Sequence, residues 1–344
     1  MARDNRIDTL KGLLIILVVL GHVITSLDNV NFFNHAVMGL IYVFHMPLFI
    51  LISGYLTKSP ELQPARDMWR GVLNLLVTLL VFQALNVIHV AVVGGDTTSA
   101  IKIFPFGVLW YLMSLIYWKL LLYYTPRSLL RKPALYLAIA VAISVLCGLT
   151  KLGMFLSLQR TMNFYIFFLI GYYYRQGVFN QRWWNNNILH GAIAAVLLPI
   201  IFWLYPHCGN VMNGADHYRL DGIPEKVLIL ACSVSMSILV FNIVRENRWL
   251  SSIGRDSLFF YVYHMFVISI VIQPLIYGNG WPKTLPFILI YTAAVIAVML
   301  VMRMIPPFRW LTQPVFKRRK PDRPLPDPAV GDKVSDENHM EKGQ

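Results

Sequence analysis

At 344 residues, with 57% hydrophobic and only 14% charged side chains, the chain is too apolar for a soluble enzyme and too long for a lone membrane anchor. Its net charge of +13 would suit a nucleic-acid binder, but the basic residues cluster in the connections between apolar runs, as membrane topogenesis requires, so no nucleic acid is expected. Three scattered cysteines make no disulfide framework: Cys147 and Cys232 fall inside apolar runs as small core residues, and Cys208 stands alone in a loop.

A membrane span needs about 20 predominantly apolar residues. On that ruler spans are predicted near 10–27, 37–57, 71–94, 104–124, 134–150, 161–176, 188–205, 226–244, 257–277 and 284–304. The first run lacks a small-x-small cleavage site and is followed at once by more spans, so it reads as a first span. Ten spans put both termini on one side. Of the 30 Lys and Arg residues, 23 fall on the terminal side and six on the other, with Lys119 left inside a span. The fold class is therefore an all-α polytopic membrane helix bundle of about ten transmembrane helices, N-in/C-in, in a plasma (bacterial inner) membrane. Residues 1–310 form the membrane domain. Residues 311–344 read as a basic cytoplasmic tail without fixed structure, its Lys317-Arg-Arg-Lys320 cluster sitting against the lipid surface.

Within this frame the ionisable residues carry the chemistry, because such side chains are costly in hydrocarbon and usually face a cavity or a partner. His22 lies in the first run and His45 in the second, and adjacent antiparallel helices hold them at similar depth in the outer half of the bilayer. Lys11 precedes His22 by eleven residues, close to three turns, so both share a face, roughly 16 Å apart along the helix. That register suits a site reached from the cytosol. Asp8, one turn before Lys11, orients it or offsets its charge. Met46-Pro47 implies a distortion whose freed carbonyl holds the His45 ring. Arg160 caps the outer end of the sixth span and His264 lies in the ninth.

The exterior loop 206–225 is polar and Gly-rich enough to cover a site. Its His207, Cys208, Asp216 and His217 match no defensible zinc spacing, so no metal is expected. No Gly-rich phosphate loop, Ser elbow or CxxC is present.

The stretch Arg6-Ile-Asp-Thr-Leu-Lys-Gly running to Gly21-His22, with FHMPLFILISGYL at 44–56, resembles the opening motifs of the acyltransferase-3 family of integral membrane acyltransferases, in particular its fucose 4-O-acetylase-like branch. Leu109-Trp-Tyr-Leu112, the run from Arg160 to Gly171-Tyr172, and Ser257 to His264 are weaker matches. In the broad family motif an arginine holds the place of Lys11; lysine keeps the charge without the planar fork.

The resemblance implies an enzyme that takes an acetyl or other acyl group from cytosolic acyl-CoA, acetyl-CoA foremost, and gives it to a hydroxyl of a sugar or exported glycan. On that reading His22 is the general base, and His45 orients it, binds the acceptor or shares the proton. Lys11 with Asp8, Arg66 and Arg70 meets the CoA phosphates. Arg160 polarises the thioester or holds the acceptor, and Trp110 and His264 contribute to substrate binding. Two other classes fit the composition: a proton-coupled transporter using intramembrane histidines, and a non-catalytic membrane subunit of a glycan assembly complex. Missing repeats and the lack of acidic residues in the predicted spans weigh against the transporter. The oligomeric state is not legible in the sequence.

Overall fold

The computed structural model describes residues 4–27, 32–98, 104–204, 214, 217–275, 280–313 and 315–316. Among these, ten principal helices follow one another with no strand: α1 (Asn5–Thr25), α2 (Phe32–Leu56), α3 (Ala65–Val92), α4 (Trp110–Tyr124), α5 (Pro133–Leu146), α6 (Leu158–Arg175), α7 (Asn187–Leu204), α8 (Ile223–Ile243), α9 (Ser257–Val267, continued by a π-wound turn Ile268–Ile272) and α10 (Leu285–Met304). Each matches one predicted span. Short helices at Arg127–Leu130, Gln181–Trp184, Arg248–Arg255 and Pro306–Trp310 lie at the helix connections. The tail from 317 onward, and His207, Cys208 and Asp216, lie outside the described residues.

The helices differ in how apolar they need to be. Six are long and apolar enough to cross a membrane, among them α1, α2, α3 and α10, while α5 and α7 belong to shorter apolar helices. The tyrosine-rich α6 is buried at every position from Asn163 to Tyr173. Surrounded by protein rather than lipid, it can carry polar side chains that a peripheral helix cannot. At the other extreme, α3 turns Leu73, Leu80, Ile88 and Val92 outward.

Among the boundaries that depart from the sequence reading, two have clear local reasons. Helix α1 begins at Asn5 rather than near residue 10, because the Asp4 carboxylate caps it by accepting from the backbone N–H of Arg6 (2.9 Å) and Ile7 (3.3 Å). Helix α4 starts only at Trp110. Pro105 offers no N–H and Gly107 sits at φ +54°, so the chain before it makes only a 3₁₀ turn, Gly107–Leu109.

Backbones meet directly at two crossings. A Cβ on Gly54 of α2 would lie 1.9 Å from the Phe168 carbonyl oxygen of α6, and one on Gly171 would lie 1.8 Å from that of Leu51. The two glycines thus let α2 and α6 interlock, the small-residue packing of membrane helices. Gly12 of α1 and Gly254 of the Arg248–Arg255 helix form a second such pair, against Leu250 and Asp8 carbonyls.

Around that second crossing the opening motif acts as a docking element. Arg6 donates to the carbonyls of Val244 (3.1 Å) and Phe241 at the end of α8, with its guanidinium 5.0 Å from the Phe241 ring centre. Thr9 accepts from the Asn247 N–H at 3.1 Å, and Asn247 in turn caps the short helix through Trp249 and Leu250. Arg303 of α10 closes the same end on Asp256 at 3.2 Å.

Candidate active site

The two histidines singled out in the sequence meet in one place. A cavity of about 330 Å³ lies where the C-terminal end of α1, the N-terminal half of α2, the Pro105–Trp110 segment, the start of α6 and α9 converge. His22, His45, Trp110 and Arg160 all line it, together with Thr25, Tyr42, Ser157 and Tyr261. The volume falls in the range of small-molecule sites, and its walls mix apolar surface with a few convergent polar groups.

Each polar group is held from behind. The His45 ring is buried, with 5% exposure, and its Nδ1 lies 2.8 Å from the Ile41 carbonyl oxygen. A carbonyl can only accept, so Nδ1 carries the hydrogen, and in the neutral ring Nε2 keeps a lone pair. The anchoring carbonyl is Ile41, one turn back, not the Val43 carbonyl that Pro47 leaves without its helical donor; the sequence reading had the ring on a freed carbonyl. Tyr42 lies tilted beside His45 with ring centres 5.0 Å apart. Its ring also leans over Gly21, where a Cβ would come within 3.1 Å of it.

Opposite the histidines, the Arg160 guanidinium sits 5.2 Å from the Trp110 ring centre, and Trp110 stacks on Phe164 at 5.5 Å and 30°. A cation over a flat aromatic pair is a surface on which a sugar ring and an oxyanion can both be held. The segment leading into α6 is strained: Leu156 and Ser157 take φ +46° and +56°, a region costly for non-glycine residues. Buried Ser157 and half-buried Arg160, one turn apart, both reach the cavity from this bend. Tyr261 is fixed by donating to the Val108 carbonyl, and the neighbouring Tyr111 is hydrogen-bonded to Ser53 at 2.6 Å.

His264 is not in the cavity wall but behind it. Its ring centre lies 5.1 Å from that of His22. The remaining sequence candidates sit elsewhere. Lys11 forms a 2.7 Å ion pair with buried Asp8 at the opposite end of α1, among the docking contacts of the short helix. Arg70 pairs with Asp67 at 3.0 Å, and Arg66 is exposed in the first turn of α3. None of these four lines the cavity. The shared face of Lys11 and His22 therefore does not bring them to one site. His217 faces the carbonyls of Gly148 and Thr150, and no group of metal-ligating side chains gathers among the described residues.

Thr25, Tyr42, Ser157 and Tyr261 were not singled out in the sequence. A hydroxyl in an apolar run is common in membrane helices, so nothing marked these before the cavity grouped them.

A bundle of apolar helices with a cavity walled in part by two histidines and an arginine defines a polytopic membrane protein with a reaction-sized site. The chain belongs to the Acyl_transf_3 family, the acyltransferase domain, whose pattern matches residues 4–304. Over 88 residues it is 41% identical to nodulation protein NolL of Sinorhizobium fredii (strain NBRC 101917 / NGR234), a match covering 24% of each chain. Over 64 residues it is 42% identical to nodulation protein NolL of Mesorhizobium japonicum (strain LMG 29417 / CECT 9101 / MAFF 303099), covering 18% of this chain and 17% of that one. The matches span about a quarter or less of these relatives' length. No solved structure matches the chain.

Proposed function

We propose that the protein moves an acetyl or related acyl group from acyl-CoA to a hydroxyl of a sugar or glycan, with His22 as general base. The observation that carries this reading is the convergence of His22, His45, Arg160 and the Trp110–Phe164 stack on one cavity.

The transfer balances as follows. The acceptor hydroxyl gives its proton to a His22 ring nitrogen while its oxygen attacks the thioester carbonyl carbon. The carbonyl oxygen takes negative charge beside Arg160. The C–S bond then breaks, and the leaving thiolate recovers the proton from His22. A positioned base contributes roughly 10²–10⁴-fold to such a step. His45, its Nδ1 held by Ile41, presents Nε2 as an acceptor that orients the sugar hydroxyl. Trp110 offers its face to the sugar ring. Transfer is direct, with no acyl-enzyme.

In the N-in, C-in arrangement supported by the lysine and arginine distribution, the cavity lies in the outer half of the bilayer and Lys11, Arg66 and Arg70 at the cytoplasmic end. The donor keeps its phosphates at that end, and its pantetheine arm bridges the roughly 16 Å between the Lys11 and His22 levels. The acceptor is part of an exported or surface glycan.

The test is full-length wild type and His22→Ala in lipid nanodiscs with radiolabelled acetyl-CoA and a panel of methyl glycosides and oligosaccharides. Label transfer by wild type, with at least 100-fold loss in the variant, is the expected result. Equal transfer by both removes His22 from the chemistry.

A further inference from the structure

Resting on the reading of His22 as base, we propose that His264 is its positioning partner: a buried imidazole whose Nε2 accepts the hydrogen on the far nitrogen of His22 while the near nitrogen takes the acceptor's proton.

Three observations meet here. His264 has 0% exposure, yet its Nε2 has no hydrogen-bond partner among the described residues. A buried polar atom left unpaired costs about 1–3 kcal/mol, so its retention calls for an explanation. Next, its tautomer is set. His264 Nδ1 lies 2.7 Å from the Tyr261 carbonyl oxygen and 3.2 Å from that of Phe260, so the hydrogen sits on Nδ1 and the orphaned Nε2 bears a lone pair. Finally, the His22 ring is 5.1 Å away, centre to centre, with the planes inclined by 40°. Two imidazoles joined by an N–H···N bond of ordinary length have centres roughly 5 Å apart. A turn of the His22 ring, with no helix movement, completes that bond.

The winding of α9 fits the same picture. The helix changes to π geometry at Ile268, whose N–H reaches back to the carbonyls of His264 and Met265. Such turns often accompany functional sites. Here it begins one turn after His264 and is hydrogen-bonded to the carbonyls of that residue and of Met265, which lines the cavity.

In the resting enzyme the far N–H of His22 points at a fixed acceptor, which leaves the near nitrogen as the lone pair facing the cavity. When the acceptor's proton arrives, the imidazolium keeps its bond to His264, and the proton later returns to the thiolate. His264 binds no substrate and ends the cycle unchanged. This departs from the substrate-binding role that the family resemblance implied for it.

Two amide substitutions separate this role from simple packing. Asparagine places its amide near the position of Nδ1 and keeps the donor to Tyr261 but has nothing at Nε2. Glutamine places its carbonyl oxygen near the position of Nε2 and keeps an acceptor for His22. Full-length wild type, His264→Asn and His264→Gln in nanodiscs are labelled with diethylpyrocarbonate, and the rate at His22 is read by mass spectrometry. Labelling of His45, in the same cavity, reports access and fold. A positioned His22 is the better nucleophile, so His264→Asn slows its labelling by about tenfold or more relative to His45, while His264→Gln stays within about threefold of wild type.

With radiolabelled acetyl-CoA and the best methyl glycoside acceptor, the same order appears in kcat, and KM for acetyl-CoA is unchanged. Wild-type labelling in His264→Asn, or an equal loss in both variants, overturns the proposal. Neither result touches the base itself, which stands or falls on His22→Ala.

Discussion

The two ends of α1 are built on opposite terms. At the N-terminal end each singled-out polar group has a partner: Lys11 has Asp8, Thr9 has Asn247, Arg6 has the α8 carbonyls, and Gly12 admits a neighbouring backbone into contact. At the C-terminal end the same helix faces about 330 Å³ of open volume, and the imidazole behind His22 keeps a nitrogen with no hydrogen-bond partner among the described residues. Satisfied polar groups and touching backbones make a joint. Polar groups gathered around space make a site. A signature motif that runs the length of one helix thus divides into a half that assembles the bundle and a half that lines the cavity.

The sharpest way to break this comparison is at the cavity. Arg160→Met removes the charge beside the developing oxyanion and lowers kcat by about 10²–10³-fold with the thermal midpoint nearly unchanged. Steady-state acetyl transfer and a thermal melt in the same nanodiscs check both halves of that statement. At the joint the pattern inverts. Gly12→Leu drives a side chain into the Leu250 carbonyl and costs about 1–3 kcal/mol of stability, seen as a lower melting midpoint, while the folded fraction keeps its kcat.

Smaller effects refine the boundary between the two halves. Trp110→Ala takes away the face on which Phe164 stacks and over which Arg160 lies, raising acceptor KM by about tenfold and leaving donor KM alone. The smallest effect addresses Lys11. Lys11→Met takes the ion-pair partner from the buried Asp8 carboxylate, and the double variant Asp8→Asn/Lys11→Met recovers about 0.5–1 kcal/mol of the lost stability. Donor KM in that stable double variant then isolates any contact of Lys11 with CoA phosphate: a rise of about fivefold or more supports one, and a wild-type value makes Lys11 part of the joint alone.

Much of the architecture was legible because a bilayer demands long apolar runs, and each predicted span has its helix, six of them long and apolar enough to cross a membrane. His22, His45 and Arg160 stood out because ionisable groups are rare in apolar runs, and the structure sets all three around one cavity. What the sequence hid depends on partners distant in the chain. That Arg6 and Thr9 dock the segment from 241 to 250 needs the tertiary fold, and alone they resemble ordinary boundary residues. The register of Lys11 with His22 was real as helix geometry. The three turns between the two residues leave Lys11 in the joint and His22 on the cavity wall.

The direct contact at Gly54 and Gly171 has a mechanical consequence. Side chains between helices act as springs that yield under load; carbonyl oxygens against α-carbons do not. The spacing of α2 and α6, and with it the gap between His45 and Arg160, is set by hard stops. A change in lateral pressure or bilayer thickness would be taken up by the lipid-facing α3 before it could alter the width of the site.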